Sequence, residues 1–166
     1  MLAKLLHRIR RNHALEHATI TLLSRKHAGA QIMGLSGLRG FVLFTDLTAE
    51  EVYPMVKEAL RRLKRGQTAL AIHPNCGTNL VTAATLTTAV TAFALRSPRE
   101  KWGERLERLL QLVLVNALVL TLARPLGGWL QARLTVDANL KGVEIASLLT
   151  RYQAGMQRIE VQVRHP

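Results

Sequence analysis

The chain has 166 residues, a formal net charge of +12 and a mean hydropathy of +0.10. Ordinary glycine and proline content together with 48% hydrophobic residues excludes collagen-like and disordered chains. The one cysteine excludes a framework of intrachain disulfides. Aromatic residues make up 4% of the chain, too few for a base-stacking surface that binds single-stranded nucleic acid.

The N-terminal part of the chain predicts a long helix followed by two short strands. Apolar residues recur with helical spacing over residues 2–27, and Gly29 and Gly34 are expected to end the helix. Residues 31–34 and 40–45 have the composition of strands and are separated by glycine-containing turn signals. A helix that packs on a small sheet is therefore expected here.

Residues 13–17 read His-Ala-Leu-Glu-His and form the first candidate site, inside this helix. The i, i+4 spacing puts His13 and His17 on one face, one turn apart, where both imidazoles can bind one metal ion. Glu16 is placed to act as a catalytic general base toward a water molecule. The order H-x-x-E-H resembles the inverted zinc-peptidase motif, whose third ligand is a glutamate far downstream; nothing marks Glu58 as that ligand. The alternative is a buried hydrogen-bond network that fixes the helix to its domain.

A second helix and a third strand are expected next. Thr48 and Glu51 form a capping box, which predicts a helix that begins there and runs to Arg65. Its predicted apolar stripe consists of six residues: Val52, Met55, Val56, Ala59, Leu60 and Leu63. Residues 68–72 are predicted as a strand, and this strand leads directly into the sequence His-Pro-Asn-Cys-Gly-Thr-Asn at 73–79.

This second motif contains His73 and the one cysteine, Cys76. With Thr78 or Asn79 as the N-cap of the next helix, Cys76 lies where backbone amides and the helix dipole stabilise a thiolate. Such a thiolate is a metal ligand or a nucleophile. The alternative is a tight turn in which the cysteine is a small buried side chain.

Together the two motifs predict a zinc site. Its candidate ligands are nitrogen and sulfur donors of the kind that Zn²⁺ prefers: His13, His17, His73 and Cys76. His73 and Cys76 either both bind the ion, or one of them orients the other. This interpretation leaves His7 and His27 in solvent.

Residues 79–123 predict an apolar helical hairpin, inserted in a membrane or, alternatively, buried in a soluble oligomer. Trp102 and Trp129 have the spacing expected of two tryptophans at opposite membrane interfaces. Against a single continuous span, Pro125 and the Gly127-Gly128 pair are expected to break the second helix before Trp129.

Polar and small residues inside the hairpin are expected to serve helix packing. Threonine hydroxyls in the first helix can bond back to their own helix, and three small residues form a ridge suited to close packing: Ala84, Thr88 and Ala92. Gln111 and Asn116 in the second helix are interpreted as packing contacts rather than as an ion pathway.

The expected fold class is α+β, a small mixed domain with a long N-terminal helix, a short sheet and an inserted apolar hairpin. We divide the chain into an N-terminal domain that carries both motifs, the hairpin and a C-terminal segment: 1–78, 79–132 and 133–166. In the last segment, residues 143–152 and 158–164 are predicted to return two strands to the sheet. The expected location is the cell membrane. More Lys and Arg residues flank the hairpin than lie in its connecting loop, which favours both termini, and with them the soluble domain, in the cytoplasm.

Two long motifs carry a family resemblance. Residues 12–19 read NHALEHAT and residues 71–80 read AIHPNCGTNL, with an apolar hairpin after them. With these motifs, the GF strand at 40–41 and the EAL-RRL helix at 58–63, the chain resembles an uncharacterised bacterial membrane-protein family over nearly its whole length. The resemblance implies the architecture and the choice of site residues, and it brings no activity with it.

Three functions fit these expectations. The first is a membrane-anchored, zinc-dependent hydrolase, such as a peptidase, with Glu16 as its base. The second is a non-catalytic subunit of a membrane complex, with a structural or cofactor-binding His/Cys site and a hairpin that packs on a protein partner or on a second copy. The third is an enzyme with Cys76 as nucleophile. Anionic lipid headgroups are the expected partners of the basic residues, and nucleic acid is not expected, because the charge is dispersed and no recognition motif accompanies it.

Overall fold

The computed structural model describes residues 2–96, 102–153 and 155–166, without the side chains of residues 102–105. Within these residues the chain forms four α-helices and four strands, so the predicted α+β class is confirmed. The helices are α1 (Leu2–Lys26), α2 (Ala49–Lys64), α3 (Gly77–Ala94) and α4 (Trp102–Leu130). The strands are β1 (Ile32–Gly37), β2 (Gly40–Thr45), β3 (Glu144–Gln153) and β4 (Met156–Arg164).

The chain divides into two compact units. The first, which we call the α/β unit, ends at His73 and resumes at Ala132; the second, the hairpin unit, is Pro74–Gln131. The α/β unit therefore contains α1, α2 and all four strands, and the hairpin unit contains α3 and α4.

An antiparallel sheet of order β1-β2-β4-β3 organises the α/β unit. Strand β2 has the predicted bounds, and β3 and β4 confirm the two C-terminal strands. Strand β1 is longer than predicted: it continues past Gly34 to Gly37, because each residue from Ile32 onward pairs with β2. Alternate residues of β2 and β4 are buried in the core, among them Phe41, Leu43, Ile159 and Val161.

Helix α2 closes the core and begins as predicted. The Thr48 amide donates to Glu51 Oε2 at 2.8 Å, which completes the capping box and lowers the pKa of that carboxyl. The predicted apolar stripe is buried, except that Met55 is only partly so: Val52, Val56, Ala59, Leu60 and Leu63.

The strand predicted at 68–72 is wrong. Thr68–Ala71 is a short 3₁₀ helix, and Leu70 and Ala71 are buried in the core. A short apolar run satisfies a buried strand and a buried helical turn equally well, so periodicity cannot separate the two. Here the run packs against α1, and the four-stranded sheet is formed by other segments.

Helices α3 and α4 form the predicted hairpin and run antiparallel. At one end Asn116 Nδ2 donates to Thr91 Oγ1 at 3.1 Å, and at the other Gln131 Nε2 donates to Asn79 Oδ1 at 2.7 Å. The predicted N-cap of α3 is wrong by two to three residues. Cys76 is the N-cap, and its Sγ accepts a hydrogen bond from the Thr78 amide at 3.4 Å.

Packing within the hairpin differs from the expectation in one respect. The ridge Ala84, Thr88 and Ala92 is exposed, so it does not pack against α4. The hydroxyls of Thr82 and Thr87 bond back to their own helix as predicted, which lets threonines lie in the interface without an unpaired hydroxyl.

The break predicted near Pro125 is also wrong. Helix α4 continues through Pro125 to Leu130 and is followed by a π-helical turn, Gln131–Thr135. Proline removes one backbone donor from a long helix, and the rest of the ladder holds the helix together. Gly127 is needed for a different reason: a Cβ there would lie 3.0 Å from Asn79 Cα, so the glycine permits close approach of α3.

One helical stretch in the described residues, Leu106–Thr135, is long and apolar enough to cross a membrane. Its 30 residues correspond to about 45 Å, against about 30 Å for the hydrocarbon core of a bilayer. Only 11% of its most apolar window is buried. The side chain of Trp102, the expected anchor at one interface, lies outside the described part of the chain.

Candidate metal centre

Helix α1 brings two histidines together. The ring centroids of His13 and His17 are 4.1 Å apart, and a nitrogen of one ring lies within 4.8 Å of a nitrogen of the other. This is the consequence of the i, i+4 spacing, which stacks side chains one turn apart on the same helix face. His17 is 2% exposed, whereas His13 is partly exposed. The pair thus has one buried and one accessible member.

Backbone carbonyls determine the tautomer of both rings. His17 Nδ1 is 2.7 Å from the Ala71 carbonyl oxygen, and His13 Nδ1 is 3.0 Å from that of Thr135. A carbonyl oxygen only accepts, so each Nδ1 carries the proton and donates. In the neutral rings the lone pair is then on Nε2. Metal-binding histidines have this same arrangement, in which one ring nitrogen donates to a carbonyl while the other binds the ion.

His73 is the third imidazole of the cluster. It follows the 3₁₀ helix whose Ala71 carbonyl accepts from His17, and its ring centroid lies 5.8 Å from that of His17. The wrongly predicted strand therefore matters for the site, because the helical turn in its place supplies the carbonyl partner of His17 and leads into His73. His13, His17 and His73 form the histidine cluster of the α/β unit.

Cys76 belongs to the hairpin unit but is three residues from His73 in sequence. Three residues of chain span at most about 11 Å. The thiol is 8% exposed, and its Sγ lies at the N-terminus of α3, where it accepts from a backbone amide. That position stabilises a thiolate, because the amide dipoles of the first turn point toward it.

Glu16 lies beside the cluster on α1, and its carboxylate contacts β1. It is 5% exposed and accepts a hydrogen bond from the Ser36 hydroxyl. A Cβ on Gly34 would lie 2.7 Å from the Glu16 carboxyl carbon, so this glycine provides the space that the carboxylate occupies. Ser36 and Gly34 are not among the residues that the sequence predicts for the site. The sequence signal for them is weak. It consists of two small residues at alternate positions of a strand, which leave space for an acidic side chain on the neighbouring helix.

Asn12 is a further buried polar residue. It begins the motif at residues 12–19, but the sequence predicts no role for it. It is fully buried; Nδ2 donates to the Gly37 carbonyl at 2.7 Å, and Oδ1 is 2.9 Å from His165 Nε2. Because Oδ1 accepts, His165 donates from Nε2. Burial and the nearby Arg8 and Arg11 lower the pKa of His165. Asn12 thus ties the end of β1 and the C-terminus to α1.

The remaining histidines are not simply in solvent, as the sequence suggested. His7 Nδ1 lies 3.1 Å from Asp137 Oδ2, and His27 Nδ1 lies 3.7 Å from Glu51 Oε1. Glu58 is bound by Arg61 and Arg62, whose hydrogen bonds lower its pKa to about 2. Its carboxylate is therefore occupied by an ion-pair network on α2.

Comparison with known proteins places the chain in a family. The model of a domain of unknown function, DUF6391, matches residues 8–148. The chain belongs to the DUF6391 family. The chain is also 37% identical over 95 residues to an uncharacterized protein of Picosynechococcus sp. (strain PCC 7002), a match that covers 52% of this chain and 46% of that protein. The chain thus spans about half the length of this relative. No solved structure matches the chain.

The DUF6391 match contains the whole histidine cluster, Cys76 and the hairpin, and it ends at residue 148, inside β3. It confirms the expected membership of an uncharacterised family. The family description carries no activity, so function has to be argued from the site itself.

Proposed function

We propose that this DUF6391 protein is a membrane-anchored zinc protein that hydrolyses a peptide or another carbonyl substrate near the membrane surface. The ion is held by the histidine cluster together with Cys76. The observation that carries the proposal is the pair of carbonyl contacts at His13 Nδ1 and His17 Nδ1, since both rings then offer Nε2 from one helix face.

The donor set fits zinc. Imidazole nitrogen and thiolate sulfur are the ligands of four-coordinate Zn²⁺ sites. Three bound side chains leave one coordination position open, as in catalytic sites, whereas four close the site, as in structural ones. A zinc ion in the open form supplies Lewis acidity to the reaction.

Glu16 is the proposed general base. It is adjacent in sequence to His17, and the Ser36 hydroxyl holds its carboxylate in one orientation. An ionised carboxylate accepts at both oxygens and is the kind of group that takes a proton from a water molecule. Ser36 is thereby a positioning residue, because it acts on the reaction through Glu16.

The second candidate, a non-catalytic metal site in a membrane complex, is favoured by the same contact. Ser36 and Gly34 give Glu16 a well-packed structural environment on β1. A buried carboxylate with such a partner fixes α1 to the sheet whether or not it ever moves a proton. The two candidates therefore differ in what Glu16 does, and not in the metal ligands.

Membrane anchoring by the hairpin is supported by the surface of α4. Large apolar side chains along it are more than half exposed within the chain, among them Leu110, Val113, Leu114 and Leu118. An apolar surface of this extent is stable only against lipid or another protein. Basic residues on the flanks, such as Arg61, Arg62 and Lys64, would then meet anionic headgroups, with the α/β unit in the cytoplasm.

Metal analysis of the purified chain tests the site. We expect about one zinc ion per chain, lost in the His13→Ala/His17→Ala double variant and retained in His7→Ala, which removes a histidine bound to Asp137 instead. Wild-type protein without zinc, or a double variant with unchanged zinc content, would contradict the proposal.

Glu16→Gln separates the two candidates. The amide keeps the size of the side chain and its acceptor oxygen for Ser36 but cannot serve as a base at neutral pH. For the hydrolase we expect full zinc content and a loss of about 10²-fold or more in the cleavage of fluorogenic peptides and esters by the full chain in detergent. Unchanged cleavage in this variant would reject Glu16 as the base, and absence of cleavage in wild type would favour the non-catalytic site.

A further inference from the structure

The first turn of α3 contains an amide that links both helices of the hairpin unit to the segment before them. Asn79 Oδ1 accepts from Gln131 Nε2 at 2.7 Å, and Asn79 Nδ2 donates to the Pro74 carbonyl at 2.6 Å. Gln131 is fully buried. Asn79 therefore connects the first residue after α4 to Pro74, two residues before Cys76.

Close approach of the helices is a condition for this link. A Cβ on Gly127 would collide with the Asn79 carboxamide oxygen and lie 3.0 Å from its Cα. Any larger residue at 127 would push α4 away from the first turn of α3. The glycine that resembled a helix breaker in the sequence is thus the residue that lets Asn79 lie in the interface.

The link is more than ordinary hairpin packing. The amide at the other end, Asn116, bonds to Thr91 and so joins α4 only to α3. Asn79 Nδ2 instead donates to the Pro74 carbonyl, which lies outside the helix in the segment Pro74–Cys76. That segment ends at the thiol that caps α3. The orientation of the thiol and the packing of α4 are therefore coupled through one side chain.

We propose that Asn79 and Gln131 are positioning residues for Cys76, and that the packing of α4 controls whether Cys76 binds the metal ion. The metal part rests on the proposed function; the positioning of the thiol does not. Breaking the hydrogen bonds that join Gln131, Asn79 and Pro74 would expose Cys76 and remove its sulfur from the coordination sphere of the ion. A conformational change in the hairpin would thereby regulate metal binding.

Two readouts on the full chain in detergent test this proposal. The first is the rate at which iodoacetamide alkylates Cys76 in metal-free protein. The second is the thiolate-to-metal charge-transfer absorption of the Co²⁺-substituted protein, which appears only when sulfur binds the ion. Asn79→Ala and Gln131→Leu are each expected to raise the alkylation rate about tenfold and to reduce the charge-transfer band.

A third variant and a matched control keep the result interpretable. Gly127→Ala retains both amides and removes only the close approach, so it should reproduce the faster alkylation. Asn116→Leu removes the amide at the far end of the hairpin and should leave both readouts unchanged. The double variant Asn79→Ala/Gln131→Leu should alkylate no faster than the faster single variant, because both substitutions break one link.

Equal alkylation rates in wild type, Asn79→Ala and Gln131→Leu would overturn the proposal, and so would an equal increase in Asn116→Leu, since that would show general loosening. If wild type binds no Co²⁺ or Zn²⁺ but the variants alkylate faster, the positioning of Cys76 stands and the proposed zinc function fails. If the band persists in all variants, the zinc function stands and control by α4 fails.

Discussion

The carbonyl groups of Ala71 and Thr135 decide the chemistry of the histidine cluster, since they fix which nitrogen of each ring carries the proton. The sequence predicted that His13 and His17 share a helix face, because that follows from a spacing of four. It could not supply the carbonyl partners, which come from residues more than 50 positions away in the chain. Motif reading thus finds candidate ligands, and the surrounding backbone shows how they are held.

Gly34 is expected to be essential for the packing of Glu16. In Gly34→Ala the new Cβ would meet the carboxyl group, break its bond to Ser36 and lower the free energy of unfolding by about 1–3 kcal/mol. Gly77→Ala is the matched control, because a Cβ there meets no atom within 4 Å and Gly77 opens a helix. Denaturation of both variants in detergent measures the effect. Equal stability of the two would show that Glu16 has room to move.

Acid is expected to destabilise the folded state through His165. Burial and the neighbouring Arg8 and Arg11 lower the pKa of His165 in the folded state, so folding favours the neutral ring. This contribution is fully present above the unfolded pKa, near 6.5, and is lost as the pH falls through the folded value. His165→Gln keeps a donor for Asn12 without a titrating group. We expect the midpoint of thermal unfolding to fall between about pH 7.5 and 5.5 by less in this variant than in wild type.

Helix α2 and the segment after it show where sequence patterns succeed and fail. The capping box and apolar stripe of α2 are local signals, so they predicted its start and its buried face. The segment 68–72 has no such signal, and its conformation depends on packing against α1. The local sequence is also a poor guide to α4. Pro125 predicts a break, but it lies inside a long helix that packing and the remaining backbone hydrogen bonds maintain.

Thr48→Ala is the direct test of the local signal in α2. The hydroxyl and the Glu51 carboxylate satisfy amides at the start of the helix, so its loss should lower the free energy of unfolding by about 1 kcal/mol. Thr87→Ala is a suitable comparison, because that hydroxyl only bonds back to its own helix. A change of less than a few tenths of a kcal/mol in Thr48→Ala would show that tertiary packing alone holds α2 in place.

The unequal distribution of charge and apolar residues is a property of the whole chain. A net charge of +12 coexists with a positive mean hydropathy because exposed apolar residues are concentrated on the hairpin. The sequence predicted the hairpin from this contrast. It did not predict that Leu106–Thr135 would be helical through its full length, since proline and glycine there read as breaks.

Leu114→Arg tests membrane insertion of the hairpin. Leu114 is 72% exposed, so an arginine there disturbs little of the protein's own packing. At the centre of a bilayer the same arginine costs about 2.5–3.5 kcal/mol. We expect less of this variant than of wild type in the membrane fraction, and no change for Leu2→Arg, whose leucine is 71% exposed on α1. Equal partitioning of Leu114→Arg and wild type would favour a hairpin covered by protein.

X-ray absorption at the zinc edge of the purified wild-type chain tests the proposed metal centre most directly. We expect stoichiometric zinc with two or three imidazole nitrogens at about 2.0–2.1 Å and one sulfur at about 2.3 Å. Zinc surrounded only by oxygen ligands, or a chain that binds no zinc when the ion is supplied, would contradict it.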